Sequence, residues 1–502
     1  MNLFELIRHR VTDPARTFLI KPDGSTLSYG EMLDRTGQIA NVLVLAGVEP
    51  GDRVAVQVEK TVENLLLYLA VLRAGAVYLP LNTAYTLSEL DYFIGDAEPK
   101  LVVCDPARRD GLAEIARSRA VASVETLDAN GQGSLTDAAK KAPKDFADVP
   151  REDDDLAAIL YTSGTTGRSK GAMLTHRNLS SNALTLKDYW RFTDKDVLLH
   201  ALPIYHTHGL FVASNTLMLA GGSMIFLPKF DADEVMRFLP KATSMMGVPT
   251  FYTRLCKHPG VTKASTAHMR LFISGSAPLL AETHDEFRAK TGQAILERYG
   301  MTETSMNTSN PYDGDRIAGT VGFPLPGVEI RIADPESGAV LKQGEVGVLE
   351  VRGPNVFPGY WRMPDKTRAE FRADGYFITG DVAKIDERGY VHIVGRAKDL
   401  IITGGFNVYP KEVESEIDAL PGVVESAVIG CPHPDFGEGV TAVVVLQKGA
   451  SVDEKAIIDN LEGKLAKFKL PKRILFVEDL PRNTMGKVQK NVLREQNAKL
   501  YA

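Results

Sequence analysis

The sequence predicts an α/β fold. A large N-terminal domain combines parallel-rich α/β subdomains with a β-rich subdomain, and a small α+β C-terminal domain follows. Three observations carry this reading. Between Asp52 and Val103, strand-like apolar runs alternate with a helical run, the grammar of parallel sheet. After about Gly319 the runs shorten and are punctuated by Gly, Pro and Asp, which reads as antiparallel sheet. Beyond Arg396 a compact tail alternates helix and strand.

Taken in order, RVAVQV and VYLPLN read as strands, and ENLLLYLAVLRAGA between them as a helix with an apolar stripe, stopped by Gly75. LVVCD is another buried strand. DDLAAILYTSG is a strand that runs into YTSGTTGRSKGAMLTHRN, residues Tyr161 to Asn178, and HRNLSSNALTL reads as a helix capped by Asn178. SMIFLPKFDADEVMRFL and LFISGSAPLLAETHDEFRAKTG are further strand–helix units. VEIRIADPESGAVLKQGEVGVLEVRGPNVFPGYW and GYVHIVGRAKDLIITGGFNVYP supply short antiparallel strands. The tail follows as KEVESEIDAL, ESAVIGC, GVTAVVVLQ, DEKAIIDNLEGKL and RILFVED. The change of pattern near Arg396 to Asp399 sets the expected boundary between domains 1–396 and 397–502.

A chain of 502 residues, 44% hydrophobic and 24% charged, has the composition of a globular protein with room for two or three domains. A net charge of -6 without a block of like charge argues against a nucleic-acid partner. No run of about 18 apolar residues offers a membrane span. The start, MNLFELIRHRVTDPARTFLI, lacks the continuous apolar core of a secretory signal. Cys104, Cys256 and Cys431 lie far apart, without metal-ligand spacing. The expectation is a cytoplasmic protein with reduced thiols and no membrane or nucleic-acid partner.

The stretch from Tyr161 carries the first chemistry. Loops between a parallel strand and the next helix hold phosphates, because backbone N–H groups and helix N-termini point at the anion there. Thr162, Ser163, Thr165 and Thr166 offer hydroxyls, Gly164 and Gly167 permit close approach, and Lys170 adds a charge. Ser169 precedes Lys170, so the Walker pattern is not met. On composition alone, a plain surface loop remains the alternative. No G-x-S-x-G elbow supports a serine hydrolase.

YTSGTTGRSKGAMLTHRN resembles the phosphate-binding signature of the adenylate-forming superfamily, which holds acyl-CoA synthetases, firefly luciferase and peptide-synthetase adenylation domains. PIYHTHGL, SGSAPL, YGMTET, GYFITGD, GRAKDLIITGGFNVYP and PRNTMGK are similar to its further signatures, in the same order. VPTFYTRL, ILERYGMTETSMNTSNPY and RNTMGKVQKNVLR most resemble members that make malonyl-CoA. The resemblance implies a two-step ligation with ATP and CoA as co-substrates and Mg2+ as cofactor. It assigns Lys487 to bridging the carboxylate and the α-phosphate, and Lys170 to the ATP phosphates. Glu303 would bind the metal, Thr302 phosphate, Tyr299 adenine, and Asp381 with Arg396 the ribose. Lys398 matches the hinge on which the mobile small domain turns, and Gly404, Gly405 and Phe406 the passage of the pantetheine arm.

A dicarboxylate needs a cation for its far carboxylate, since an unpaired buried anion costs several kcal/mol, on the order of 3–5. Arg298 in ERYGMTE and Arg254 in VPTFYTRL are the candidates, because a guanidinium matches a carboxylate with two prongs. His206 is expected to border the acyl pocket, contacting the carboxylate or gating the CoA tunnel, His208 to have a packing role, and Ser276 to contribute a hydroxyl. The expected acid is malonate, with methylmalonate tolerated; another short acid, or an amino acid in a stand-alone adenylation enzyme, is the alternative. Peptide-synthetase pockets place an Asp shortly after the PIYHTHGL position, and none stands here. No carrier domain is expected, given the short stretch beyond Lys490. A luciferase-like site needs a large aromatic-lined pocket, and a non-catalytic relative would be expected to lose Lys487, Glu303 or Asp381. The basic run KLAKFKLPKR, Lys464 to Arg473, is a candidate for CoA phosphates or a solvated face. A lysine acyltransferase acting on Lys487 would remove its charge and switch off adenylation.

Overall fold

The computed structural model describes residues 1–162, 169–404, 406–462, 464–483 and 486–501. The expectations for Ser163, Gly164, Thr165, Thr166, Gly167 and Gly405 fall outside these residues.

Two large sheets form the first part. In a six-stranded sheet, Ser123–Thr126, Leu101–Cys104, Arg53–Gln57, Val77–Pro80 and Leu156–Thr162 run parallel, and Lys170–Thr175 closes one edge antiparallel. A nine-stranded sheet has a parallel centre, from Leu296–Met301 through Leu271–Ser274, Ser244–Gly247, Val197–His200 and Ser223–Phe226 to Thr17–Ile20. Its margins are antiparallel. These strands read as apolar runs because parallel strands are buried on both faces. Helix Val62–Arg73 is buried at every position but Glu63, so the expected stripe is an all-round apolar surface. It packs in the main core, to which strands of both sheets contribute.

The Tyr161 stretch differs from expectation. It does not lead from a parallel strand straight into a helix. Leu156–Thr162 and Lys170–Thr175 pair antiparallel, with Tyr161 opposite Gly171, and helix His176–Tyr189 begins only afterwards. The cap is Thr175, not Asn178. Thr175 accepts from the Asn178 backbone while the Asn178 side chain accepts from the Thr175 backbone, a reciprocal box.

Strands Glu329–Ala333, Gly347–Arg352, Phe377–Ile385 and Val391–Arg396 form the expected antiparallel sheet. The chain then changes sheet. Ile401–Thr403 belongs to a five-stranded sheet with Phe406–Val408, Val423–His433, Gly437–Leu446 and Arg473–Val477, which has its own apolar core. Parallel-rich layers, a β-rich unit and a small α+β unit are thus the architecture that the sequence predicts. Cys104, Cys256 and Cys431 are buried free thiols. No helix among the described residues is long and apolar enough to cross a membrane.

Candidate active site

The site gathers at the carboxyl ends of the parallel strands of the larger sheet, where open α/β sheets hold their ligands. Strand Leu296–Met301 presents successive residues to opposite faces. Glu297 turns to the Leu279 backbone N–H, 3.2 Å away, and burial pushes its carboxyl up to about 8. Arg298 turns the other way and does not pair with it. It is 3% exposed, and its Nε and Nη2 have no partner among the described residues. Burial alone pulls its pKa down to about 9. The guanidinium lies over Gly275: a Cβ there would stand 2.3 Å from the Arg298 Cζ, so only glycine admits this approach.

His206 and His208 flank the arginine. Burial, and then the Arg298 charge, lowers both; Lys487 adds to the effect at His206, whose pKa falls to about 4. Both rings are neutral at pH 7. His208 does more than pack: its Nδ1 is 3.0 Å from the Ser276 Oγ, and its Nε2 is unpartnered among the described residues, as is the His206 Nδ1. Ser276 adopts φ +73°, a left-handed backbone that a non-glycine residue rarely takes. The result is a buried pocket wall of one cation, neutral imidazoles and a hydroxyl, with donors free to meet an anion.

The nucleotide side stands next along the same strand. The Tyr299 hydroxyl donates to Asp381, and Arg396 Nε lies 2.6 Å from the other carboxylate oxygen. Asp381 and Arg396 are opposite one another on paired strands, and the Asp381 charge raises the Arg396 pKa further. Glu303 sits just beyond Thr302, in the turn between Leu296–Met301 and Ser305–Ser309. It is buried and its carboxyl is raised, chiefly by desolvation. Tyr360, which sequence reasoning missed, places its hydroxyl 3.0 Å from Glu303 and 2.7 Å from Glu370. Lys170 Nζ lies 3.2 Å from Glu370 and 4.1 Å above the Tyr360 ring. Burial alone would raise Glu370; its bonds from Lys366, Tyr360 and Lys170 outweigh that and lower it. Thr162 points its hydroxyl back at the Lys170 carbonyl, 3.4 Å away.

Lys487 reaches this pocket from the small unit. Its backbone N–H donates to the Asn483 side chain at 2.9 Å, and Arg482 Nη1 donates to the Gly486 carbonyl at 2.8 Å. Gly486 has φ +75° and packs on Thr250, where a Cβ would come 3.2 Å from the threonine methyl. The ammonium is therefore close enough to perturb His206. Burial, then Arg396, lowers its own pKa to about 8.

Other predicted residues stand apart. Arg254 lies on the exposed face of helix Pro249–Lys257, whose Tyr252, Leu255 and Cys256 face the core, so the helix turns it away from Arg298. Gly404, φ +57°, donates to the Phe436 carbonyl, and Phe406 is 56% exposed and stacked on Phe468. Lys398 is exposed in the turn Ala397–Asp399 between two sheets. In the basic run, Lys469 and Lys464 pair with Glu412 and Glu416 at 2.5 and 3.4 Å, a mostly solvated face.

The sequence profile of AMP-binding enzymes matches residues 7–361, and that of the AMP-binding enzyme C-terminal domain matches residues 412–487. The chain belongs to the AMP-binding enzyme family. Among solved AMP-binding enzymes, ATP-bound MatB from Rhodopseudomonas palustris is 67% identical, with a TM-score of 0.98 over 100% of this chain and 99% of that one. The apo form of that protein, at the same coverage, gives 0.87, so the arrangement here is nearer the ATP-bound one. The mitochondrial malonate–CoA ligase of Mus musculus is 37% identical over 93% of this chain and 86% of its own. Feruloyl-CoA synthase of an Amycolatopsis species is 36% identical over 95% of each.

Proposed function

We propose that this AMP-binding enzyme ligates malonate to coenzyme A at the expense of ATP, giving malonyl-CoA, AMP and pyrophosphate, with methylmalonate tolerated. The observation that carries the reading is Arg298: a deeply buried guanidinium with two unpartnered donors calls for a buried anion. A feruloyl group would leave it unpaired. The likeness to MatB and to the malonate–CoA ligase points the same way.

In the first step a malonate oxygen attacks the α-phosphorus and the bond to the β-phosphate oxygen breaks, releasing pyrophosphate. Malonate is already ionised at neutral pH, so the step needs cations more than a base. Lys487 neutralises the reacting carboxylate and the α-phosphate, while Arg298, with Ser276 and His206 beside it, holds the far carboxylate. Tyr299 packs on adenine, Asp381 and Arg396 take the ribose hydroxyls, and Thr162, Lys170 and Thr302 take phosphate oxygens. Lys170 leaves Glu370 to do so.

Glu303, buried and hydrogen-bonded by the Tyr360 hydroxyl, would hold Mg2+ beside waters and phosphate oxygens. When bound, the metal would supply charge neutralisation to the triphosphate. In the second step the CoA sulfur attacks the acyl carbon, the thiol proton passes to solvent, and AMP leaves with the bonding pair. We take 1–396 and 397–502 as the working domains, with Lys398 as hinge, turning Gly404, Gly405 and Phe406 toward the thiol's path and Lys487 away. We place the enzyme in the cytoplasm, and Lys487 as the residue a lysine acyltransferase would silence.

Pyrophosphate release across C2 to C8 mono- and dicarboxylates, with ATP and CoA, tests the reading. Malonate should lead. Acetate leaves Arg298 unpaired and octanoate should not fit; octanoate outrunning malonate would defeat the assignment.

A further inference from the structure

Lys60 is a buried lysine that the reaction above does not use. It stands one residue before Thr61, whose side chain caps helix Val62–Arg73. It is 8% exposed and forms no ion pair among the described residues; desolvation alone pulls its pKa well down. Its Nζ lies 2.9 Å from the His200 Nδ1, donates to the His200 carbonyl at 2.8 Å, and sits 4.3 Å over the Phe226 ring.

His200 ends strand Val197–His200, and burial keeps it neutral. With Nδ1 accepting from Lys60, its proton is on Nε2, which donates to the Gly209 carbonyl at 2.8 Å. The Ser214 hydroxyl donates to the same carbonyl at 2.9 Å. Gly209 is the second residue of the π-helix His208–Asn215, an uncommon turn that frequently marks functional sites. A Cβ on Gly209 would lie 2.0 Å from the Pro203 carbonyl oxygen, so this turn is tightly seated. Its far end is tied to the same unit as Lys60, through the Tyr68 hydroxyl and Asn215 at 3.1 Å. Its first residue is His208, which bonds Ser276 beside Arg298.

We propose that Lys60 and His200 are positioning residues for the acid pocket: they hold the π-helix so that His208 and Ser276 meet a short dicarboxylate on Arg298. The inference rests on reading Arg298 as the carboxylate site. Among the described residues neither bonds a group on the nucleotide side, so their loss should move the acid's KM and spare that of ATP.

The test measures pyrophosphate release by the full chain, varying malonate at saturating ATP and ATP at saturating malonate. Lys60→Met, which leaves the His200 Nδ1 without its donor, should raise the malonate KM about tenfold and leave the ATP KM within about twofold. His200→Gln loses the Nδ1 contact but keeps a donor at the Gly209 carbonyl, as Nε2 does, while the backbone carbonyl at 200 still accepts from Lys60, so it should stay near wild type. His200→Asn keeps an acceptor for Lys60 but loses Gly209, and should behave like Lys60→Met. This His200 pair decides the matter even if Lys60→Met does not fold. Equal effects of Gln and Asn, or ATP and malonate KM rising together, would overturn the positioning role. Wild-type enzyme indifferent to malonate would instead sink the acid-pocket reading, and this inference with it.

Discussion

Replacing Arg298 by Met should make the protein more stable and nearly inactive on malonate. The guanidinium is 3% exposed and burial lowers its pKa from the ordinary guanidinium range to about 9. At 1.36 kcal/mol per pH unit, that fall is a penalty of roughly 5 kcal/mol on the charged form. At pH 7 the arginine is charged both folded and unfolded. The penalty is therefore fully present below about pH 9 and is relieved only as pH rises above it, where the folded arginine loses its proton before the unfolded one. Relaxation takes part of it back, so Arg298→Met should gain about 1–4 kcal/mol. The same change strands the far carboxylate of malonate, at a cost of about 3–5 kcal/mol, or roughly 100- to 5,000-fold in kcat/KM. Denaturant melts and pyrophosphate release read the two effects separately. Acetate turnover should not fall in parallel. A variant that melts below wild type, or that keeps malonate kcat/KM within about tenfold, would refute the account of Arg298 as a cation held for substrate.

Three further outcomes are expected. Lys487→Ala should cut malonyl-adenylate formation by on the order of a thousandfold, while CoA attack on supplied malonyl adenylate survives; equal loss in both half-reactions would end the division of labour. The Lys487 pKa lies near 8, so its charge is present below that pH and lost as pH rises through it. Adenylation kcat/KM should show an alkaline limb near pH 8 that thioester formation from supplied adenylate lacks, and a limb common to both steps would exclude Lys487 as its source. Glu303→Gln should raise the Mg2+ concentration for half-maximal adenylation about tenfold or more, measured at fixed ATP; an unchanged Mg2+ response would remove Glu303 from the metal site.

The parallel strands were legible because two-sided burial writes itself as an unbroken apolar run, as in Leu101–Cys104. The hairpin was not. Lys170–Thr175 is six residues long and adjoins a Gly/Ser/Thr run, and its pairing with Leu156–Thr162 is a register, which composition does not encode. Thr175 and Asn178 are both cap formers three apart, and the fold uses both, with roles reversed from the simple reading. The exposure of Arg254 is legible in the phase of its helix, where Tyr252, Leu255 and Cys256 fix the inward face and leave the arginine outside. Strand alternation, by contrast, already separates Arg298 from Glu297. Tyr360 and Glu370 had no local signal; they join Glu303 and Lys170 across 57 and 200 residues of chain.

The two cations divide the acid between them. Arg298 and Lys487 come from different units and both lower the pKa of His206, with no carboxylate pairing Arg298 among the described residues. On the proposed function malonate would bring one carboxylate to each, whereas a monocarboxylate would leave Arg298 an unpaired buried charge. Selectivity for a dicarboxylate would then originate in the desolvation of Arg298, while burial and Arg396 tune Lys487 for the reacting carboxylate.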